Sequence, residues 1–381
     1  MQETHRILLC AGTRPELIKL APVYRNLRDR PAVTPFLCLT GQHDSLVQNL
    51  PRVLDVTPEF VLTREAGTSG QLGLLQNILR QLAILLEQLG PELVVVQGDT
   101  ASALAGAMAA CLQDIPVCHV EAGLRTRDLL SPFPEELYRQ LISRMGTWHF
   151  CPTPENRATL LREDISSGQI FLSGNTSIDA VLDMLSRSPR PLETKAVSRP
   201  YILVTLHRRE VQGEKLITIV RALRNFAESH AGYDFIVTLH PNPAIRRLLS
   251  HHLGGQGNIR LLPPLDYPDF VPLMKKAFAI LSDSGGIQEE APALDVPVIV
   301  LRDKTERQEG VASGCLRLAG YDPEKIFSEL SLLIHDRDHY IDMCTAPAPF
   351  GEGRAGRIIS ARLEQIVTGQ KIPHDDSSLS P

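Results

Sequence analysis

Three carboxylates lie where proton-transfer chemistry is expected. Asp99, in the run GDT, and Glu121, in the run HVEAGLRT, each follow a strongly apolar stretch, and Glu135 follows two prolines in SPFPEELYR. Carboxylates that lie close together shift one another's pKa values, so that one acts as a general acid and another as a general base. Each residue alone is equally well explained as a helix cap or a surface charge. Their joint occurrence predicts an acid–base site.

Basic and glycine-rich positions indicate a phosphate-bearing ligand. The run GTRPELIK contains Arg14 and Lys19, whose planar fork and point charge suit a diphosphate. The run SGGIQEE opens with Ser284, Gly285 and Gly286 at a predicted strand-to-helix junction, where free backbone N–H groups attract anions. The two glutamates that follow cannot bind an anion, but they can accept hydrogen bonds from sugar hydroxyls. A ligand with both phosphate and sugar is predicted; the alternative is a helix whose acidic residues complement its own dipole.

Two histidines, His207 and His240, follow predicted strands in the second half of the chain. A lone histidine in such a place is more often structural. Arg208 and Arg209 come directly after His207, which makes His207 a candidate for phosphate contact or proton transfer.

The elements that would position these residues are parallel strands alternating with helices. Short apolar runs such as RILLCAG, ELVVVQGD, YILVTLH and PVIVL alternate with longer helical patterns, which predicts an α/β fold with two Rossmann-like parallel-sheet domains. A segment rich in proline, serine and charge covers residues 186–200. We predict an N-terminal domain over 1–188, a second α/β domain over 200–355, a helix over 356–370 that packs back on the first domain, and a disordered tail over 371–381. Because ligands bind beyond the carboxyl ends of parallel strands, the polar residues of both domains are expected to face a shared cleft.

The composition excludes several classes of function. The 381-residue chain is 43% hydrophobic and 22% charged, which is typical of globular proteins, and its formal net charge of -5 gives no basic footprint for nucleic acid. No apolar run reaches the ~18 residues that span a bilayer, and no signal-peptide pattern opens the chain, so we expect no membrane association and a cytoplasmic protein. The 7 cysteines include no CxxC spacing, which indicates reduced thiols.

Motifs for common cofactors are also missing. After the first predicted strand the chain reads CAGTRPELIK, without the G-x-G-x-x-G of dinucleotide binding, and no P-loop pattern occurs. Neither the H-x-H nor the HExxH spacing of a metal site is found. We therefore expect no cofactor and no metal, so the reaction would depend on the side chains of the protein.

The motifs, taken in order, resemble those of the non-hydrolysing UDP-N-acetylglucosamine 2-epimerases. They are GTRPELIKLAP, GQH, GDT, HVEAGLRT, PFPEELYR, HRRE, SDSGGIQEEAP and VLRDKTERQEGV, and they extend from about Ile7 to about Gly320. The resemblance implies the two-domain glycosyltransferase-B architecture, with UDP in the interdomain cleft and held mainly by the second domain. It also implies a homodimer.

The resemblance implies a role for each site residue. The acid–base set would be Asp99, Glu121 and Glu135, and His207 would match an essential histidine. The UDP-binding set would have Ser284, Gly285 and Gly286 at the diphosphate, Glu290 at the ribose, Arg14, Lys19 and Arg307 at the phosphates, Phe270 near the uracil, and His240. In the family's mechanism a base removes the C2 proton of the sugar as UDP leaves, and UDP adds again after a proton returns to the opposite face.

Some positions depart from the common family pattern. Leu206 in LHRRE and Tyr138 in EELYR could reshape the sugar pocket, so the same chemistry on a UDP-2,3-diacetamido uronate is an alternative. Gln42 and His43 would belong to a second, allosteric site, but GQHDSLV replaces the common GQHREML, so we predict weak or no activation by substrate and a hyperbolic rate curve. Further alternatives are a hydrolysing epimerase, a glycosyltransferase on the same fold, and a silent nucleotide-sugar sensor.

Overall fold

The computed structural model describes most of the chain and divides it into two compact units. The described residues are 4–42, 49–65, 70–187, 199–206, 213–239 and 242–370. His43, His207, His240 and the predicted tail over 371–381 lie outside them. The first unit comprises Met1–Ala180 with Gly351–Pro381, and the second comprises Val181–Phe350.

The first unit contains a seven-stranded parallel sheet in the order β3-β2-β1-β4-β5-β6-β7. Its strands are β1 His5–Ala11, β2 Val33–Leu39, β3 Phe60–Val61, β4 Leu93–Gln97, β5 Val117–Val120, β6 Trp148–Cys151 and β7 Ile170–Leu172. The helices of this stretch are α1 Arg14–Arg28, α2 Leu50–Leu54, α3 Gly70–Leu89, α4 Ala101–Cys111, α5 Glu135–Met145 and α6 Pro154–Arg162, with a 3-10 turn at Ser167–Gln169. The chain division between the units falls within α7, Thr176–Arg187.

The second unit contains a six-stranded parallel sheet in the order β10-β9-β8-β11-β12-β13. Its strands are β8 Tyr201–Thr205, β9 Asp234–Thr238, β10 Ile259–Leu262, β11 Ala279–Ser282, β12 Val298–Val300 and β13 Leu316–Leu318. Its helices are α8 Glu214–Ser229, α9 Pro243–Leu253, α10 Tyr267–Lys275, α11 Gly285–Glu290, α12 Gln308–Ser313, α13 Pro323–His335 and α14 Arg337–Thr345, with a 3-10 turn at Pro292–Leu294. The predicted fold class, α/β with two parallel-sheet domains, is confirmed.

The central strands are continuously apolar because helices cover both faces of each sheet. All five residues of β4, LVVVQ, and all five of β8, YILVT, are buried. The edge strand β3 was not predicted, since two residues carry no readable pattern. Among the described residues, no helix combines the length and the apolar character needed to cross a membrane.

The last helix of the described chain, α15 Ala355–Val367, packs against α1 within the first unit. Asp179 fixes its first turn, because the carboxylate accepts hydrogen bonds from the N–H groups of Ala355 and Gly356 at 3.1 and 2.8 Å. Gly356 permits the close approach, since a Cβ atom there would lie 2.8 Å from Cβ of Pro22. The chain thus returns to its first domain after completing the second.

Candidate active site

Asp99 lies directly after β4, in the loop that leads to α4. Thr100 caps α4 by accepting a hydrogen bond from the Ala103 N–H at 3.0 Å. Oδ2 of Asp99 accepts a hydrogen bond from Nε of Arg139 at 2.8 Å, and Nη2 of the same guanidinium lies 2.7 Å away. Arg139 projects from α5 and is buried, so a buried cation holds one oxygen of Asp99.

Glu121 lies directly after β5 in a left-handed backbone conformation, with φ of +66°. A residue with a side chain pays a conformational cost there, and such residues cluster at functional sites. Its Oε2 accepts hydrogen bonds from the ammonium of Lys19 and, at 3.0 Å, from Nε2 of Gln97. The structure therefore places Lys19, expected at the phosphates, in a buried ion pair with a candidate catalytic carboxylate.

Glu135 is the first residue of α5, and its Oε2 atom is buried without a hydrogen-bond partner in the described part of the chain. Tyr138 lies one turn further along and belongs to the apolar core of the first unit. Burial and the nearby charge of Glu135 raise the pKa of Tyr138. Glu135 thus differs from Asp99 and Glu121, each of which is paired with a cation.

The three carboxylates are connected through the strand order and through α5. β4 and β5 are neighbours in register, with Gln97 opposite Val120, so Asp99 and Glu121 leave the sheet side by side. The helix that begins at Glu135 reaches Asp99 through Arg139. The use of all three carboxylates as one acid–base group stays a prediction.

A buried glutamate, Glu136, fixes the loop that follows Glu121. It accepts hydrogen bonds from the N–H groups of Thr126 and Arg127 at 2.9 and 3.3 Å, and from Arg139 at 3.1 Å. Burial disfavours its charge, but these hydrogen bonds and the charge of Arg139 outweigh burial, so its pKa lies below its usual value.

Glu16 connects the loops after β1 and β4. It forms a capping box with Thr13 at the start of α1, and one of its oxygens accepts hydrogen bonds from the N–H groups of Gly12 and Thr13 at 3.0 and 2.7 Å. The other oxygen accepts the hydroxyl of Thr100, beside Asp99. Burial raises the pKa of Glu16 to about 7, against the effect of these hydrogen bonds.

Two buried histidines lie beneath these loops, side by side on β5 and β6. Nε2 of His119 donates to the carbonyl oxygen of Gly98 at 2.8 Å, which ties β5 to the residue before Asp99. Burial is the main cause that lowers the pKa of His119, and the neighbouring His149 is the second; together they bring it to about 3. Burial likewise lowers the pKa of His149 to about 4. Both rings are therefore neutral at neutral pH.

In the second unit, the glycine-rich loop after β11 lies against a buried arginine. Ser284 precedes α11, and an ideal Cβ atom at Gly285 would lie 2.9 Å from the guanidinium of Arg307. Nη2 and Nε of Arg307 donate to Glu289 at 2.6 and 2.9 Å, and Nη1 donates to Glu306 at 3.1 Å. Two buried carboxylates thus hold this cation against the backbone at the start of α11.

The remaining predicted residues occupy varied positions. Arg14 is the first residue of α1 and is partly buried. Gly286 and Glu290 lie on α11, and Glu290 is buried. Phe270 is a partly buried residue of α10.

Oε1 of Gln42, the residue predicted for a second site, accepts hydrogen bonds from the N–H and hydroxyl of Ser102 at 3.2 and 2.8 Å. Leu206 is buried in the core of the second unit. The described residues contain no group of three or more His, Cys, Asp or Glu side chains that could hold a metal ion.

Sequence reasoning missed Glu16, Gln97, Glu136 and Arg139. Glu16 carried a readable signal, because T-x-x-E at a predicted helix start is a capping box. Glu136 and Arg139 are three residues apart on one helix, a spacing that places side chains on the same face. Nothing in the sequence, however, indicates that this face contacts Asp99.

The sequence of the chain matches that of known proteins. A family model described as UDP-N-acetylglucosamine 2-epimerase matches residues 25–364. The UDP-N-acetylglucosamine 2-epimerase of Escherichia coli K12 is 40% identical, over 93% of this chain and 98% of that protein.

Two solved structures have the same fold. The UDP-GlcNAc 2-epimerase of Neisseria meningitidis, bound to UDP-GlcNAc, has a TM-score of 0.90 and 38% identity, covering 94% of this chain and 99% of that chain. The Methanocaldococcus jannaschii enzyme, in complex with UDP-GlcNAc and UDP, has a TM-score of 0.83 and 34% identity, with 94% and 99% covered. By sequence and by fold, this chain belongs to the UDP-N-acetylglucosamine 2-epimerase family.

Proposed function

We propose that the protein interconverts UDP-N-acetylglucosamine and UDP-N-acetylmannosamine by inverting C2 of the sugar without hydrolysis. The observation that carries this proposal is that two carboxylates paired with cations, Asp99 and Glu121, follow neighbouring strands of the first unit in a chain of this family. Glu135 begins the helix that contacts Asp99. The C2 hydrogen is not adjacent to a carbonyl, so direct deprotonation would be very slow. Elimination of UDP provides another route.

The proposed reaction has two stages. A carboxylate takes the C2 proton as the C1–O bond to UDP breaks, which forms a C1–C2 double bond and gives 2-acetamidoglucal and UDP. A second group then donates a proton to the opposite face of C2 as a diphosphate oxygen of UDP rebuilds the C1–O bond. Proton-transfer groups are needed on both faces, and we assign this work to Asp99, Glu121 and Glu135. His207, outside the described residues, is assigned with them as the essential histidine.

The leaving diphosphate needs positive charge where negative charge develops. We assign Arg14 and Arg307 to the phosphates and the backbone of Ser284, Gly285 and Gly286 to the diphosphate. The support is the position of the Arg307 guanidinium against Gly285, which already places a cation beside this backbone.

Further contacts are assigned to the rest of the nucleotide. Glu290 would bind the ribose hydroxyls, Phe270 would lie near the uracil, and His240 would complete the set. The ammonium of Lys19 neutralises Glu121 in the structure, so its contribution at the phosphates would require the ligand to compete with that ion pair.

The resemblance to the family also supports three wider proposals. We propose a homodimer in the cytoplasm, and a second nucleotide-sugar site at Gln42 and His43 with weak or no activation by substrate. Light scattering measures the oligomeric state, and the rate curve measures the activation. A sigmoidal curve would contradict the expectation for the second site.

Proton NMR of the purified protein with UDP-N-acetylglucosamine in deuterated water tests the reaction. We expect a growing UDP-N-acetylmannosamine signal, with deuterium entering at C2 and no free sugar. Free N-acetylmannosamine with UDP would instead establish a hydrolysing enzyme. If neither exchange nor product appears, the proposed substrate is wrong, and a UDP-2,3-diacetamido uronate is the next substrate for the same experiment.

A further inference from the structure

A buried arginine, Arg139, joins the two strand-end loops that carry Asp99 and Glu121. On one side its guanidinium contacts Oδ2 of Asp99 through Nε at 2.8 Å and Nη2 at 2.7 Å. On the other side its Nη1 donates to Glu136 at 3.1 Å. The planar guanidinium makes these contacts in fixed directions, which a flexible lysine ammonium cannot reproduce.

Glu136 extends this connection to the loop after Glu121. The carboxylate accepts the N–H groups of Thr126 and Arg127, and Arg127 has a left-handed backbone with φ of +63°. This conformation is costly for a residue with a side chain, so the buried carboxylate is part of what maintains it. The path of the chain five residues beyond Glu121 is thereby fixed to α5.

The third carboxylate, Glu135, is on the same helix. α5 is a rigid element, and Glu135 is its first residue. The contacts of Glu136 and Arg139 therefore fix the loops that carry Asp99 and Glu121 relative to the helix that carries Glu135. Among the described residues, Oδ1 of Asp99 accepts no hydrogen bond, while Oδ2 is held by Arg139. One oxygen is thus fixed and the other is left for a proton.

We propose that Arg139 is a positioning residue that fixes the Asp99 carboxylate relative to Glu121 and Glu135 in the epimerisation. The inference rests on the proposed function. Arg139 contacts Asp99, and its effect on the reaction passes through that side chain. Misplacement of a reacting group by a small distance slows a reaction strongly, because the bound geometry must lie close to the reactive one.

The test compares Arg139→Gln and Arg139→Lys with a matched control, Arg144→Gln, on the exposed face of the same helix. We expect Arg139→Gln to lower kcat by about 100-fold, within the range for loss of an acid–base group. Arg139→Lys keeps the charge but loses the fork, so it should recover about tenfold of this loss. UDP affinity, measured by calorimetry, should change less than about threefold, since uniform binding is not affected. Arg144→Gln should match the wild type.

A double variant separates positioning from a general effect on the fold. If Arg139 acts through Asp99, then Arg139→Gln should cost nothing further in an Asp99→Asn background, because residues that act as a unit are not additive. Deuterium exchange at C2 is sensitive enough to compare these slow variants. If Arg139→Gln does not fold, Arg139→Lys in the same background carries the comparison.

Three results would overturn the inference. They are an equal loss of kcat with and without Asp99, a kcat for Arg139→Gln like that of Arg144→Gln, or parallel losses of kcat, UDP affinity and melting temperature. The wild type is scored separately. A wild type that neither exchanges deuterium nor forms product refutes the proposed function, and the variants are then compared on the UDP-sugar that the wild type does convert.

Discussion

The two units each contain a buried network of ion pairs beside the ends of parallel strands, and the two networks differ in how exposed their carboxylates are. In the first unit, the Asp99 and Glu121 side chains are 27% and 12% exposed, whereas their cations, Arg139 and Lys19, are buried. In the second unit, Glu289 and Glu306, which bind Arg307, are only 3% and 2% exposed.

The difference is in which charge each network surrounds most closely. Breaking a buried ion pair leaves an uncompensated charge, so each network holds its members firmly in place. In the first unit the cations hold the carboxylates, which are the more exposed partners of each pair. In the second unit the carboxylates hold Arg307, whose guanidinium lies against Gly285. The proposed proton-transfer and anion-binding sites would thus use the same residue types with the roles exchanged.

The largest effect should come from neutralising a carboxylate of the network in the first unit. Glu121→Gln removes the charge that pairs with Lys19 and the group proposed to transfer a proton, so we expect kcat to fall by about 100-fold or more with UDP affinity retained. NMR turnover and calorimetry measure the two quantities.

The matched control for this experiment is Glu364→Gln. It removes a carboxylate of α15 that pairs with Arg30 in the same unit, outside the candidate site. Its kcat should stay close to that of the wild type. Equal losses in the two variants would mean that any broken ion pair has this effect, and an unchanged Glu121→Gln would favour the nucleotide-sugar sensor.

A smaller effect is expected from displacing the cation of the second network. In Gly285→Ala the new Cβ would lie 2.9 Å from the Arg307 guanidinium, which must shift. We expect UDP to bind about tenfold more weakly, the scale of one lost charged contact. We also expect kcat to fall, because Arg307 is assigned to the charge that develops on the leaving diphosphate. Gly257→Ala, at a position with no atom within 4 Å, is the control. Unchanged UDP affinity in Gly285→Ala would argue against phosphate binding at this loop.

The smallest effect should be on the stability of the fold at low pH, which should depend on two buried histidines of the first unit. Among the described residues, the buried histidines, His119 and His149, both lie in the first unit. Their folded pKa values of about 3 and about 4 lie below the unfolded value of 6.5, so the unfolded chain binds more protons between these limits. Stability is therefore retained above pH 6.5 and is lost as pH falls toward the folded values.

Substitution of one histidine should reduce this pH dependence. Between pH 7.5 and pH 5.0, the melting temperature of His149→Gln should fall by a few degrees less than that of the wild type, since about 1 kcal/mol changes the midpoint by about 2 to 4 °C in domains of this size. His251→Gln, which removes an exposed histidine, should follow the wild type. Identical pH dependence in all three proteins would show that His149 does not contribute.

The sequence predicted much of the fold because its signals are local. Strands such as LVVVQ begin with a continuous apolar run, and glycine or polar residues end them, so Asp99 and Glu121 could be placed at strand ends from the residues alone. The two-residue strand β3 was beyond this reasoning. Tyr138 and Leu206 are buried in the apolar cores of their units, and their effect on the sugar pocket stays a prediction.

The sequence by itself determined the fold class, the grouping of polar residues at strand ends and the family, since repeated apolar patterns and ordered motifs can be read along the chain. Only the tertiary structure decided which charges pair. Lys19 and Glu121 are 102 positions apart, and Asp99 and Arg139 are 40 apart. Such pairs depend on strand order and on how a helix approaches the sheet. Because electrostatic energy depends on distance and burial in space, no local pattern specifies it.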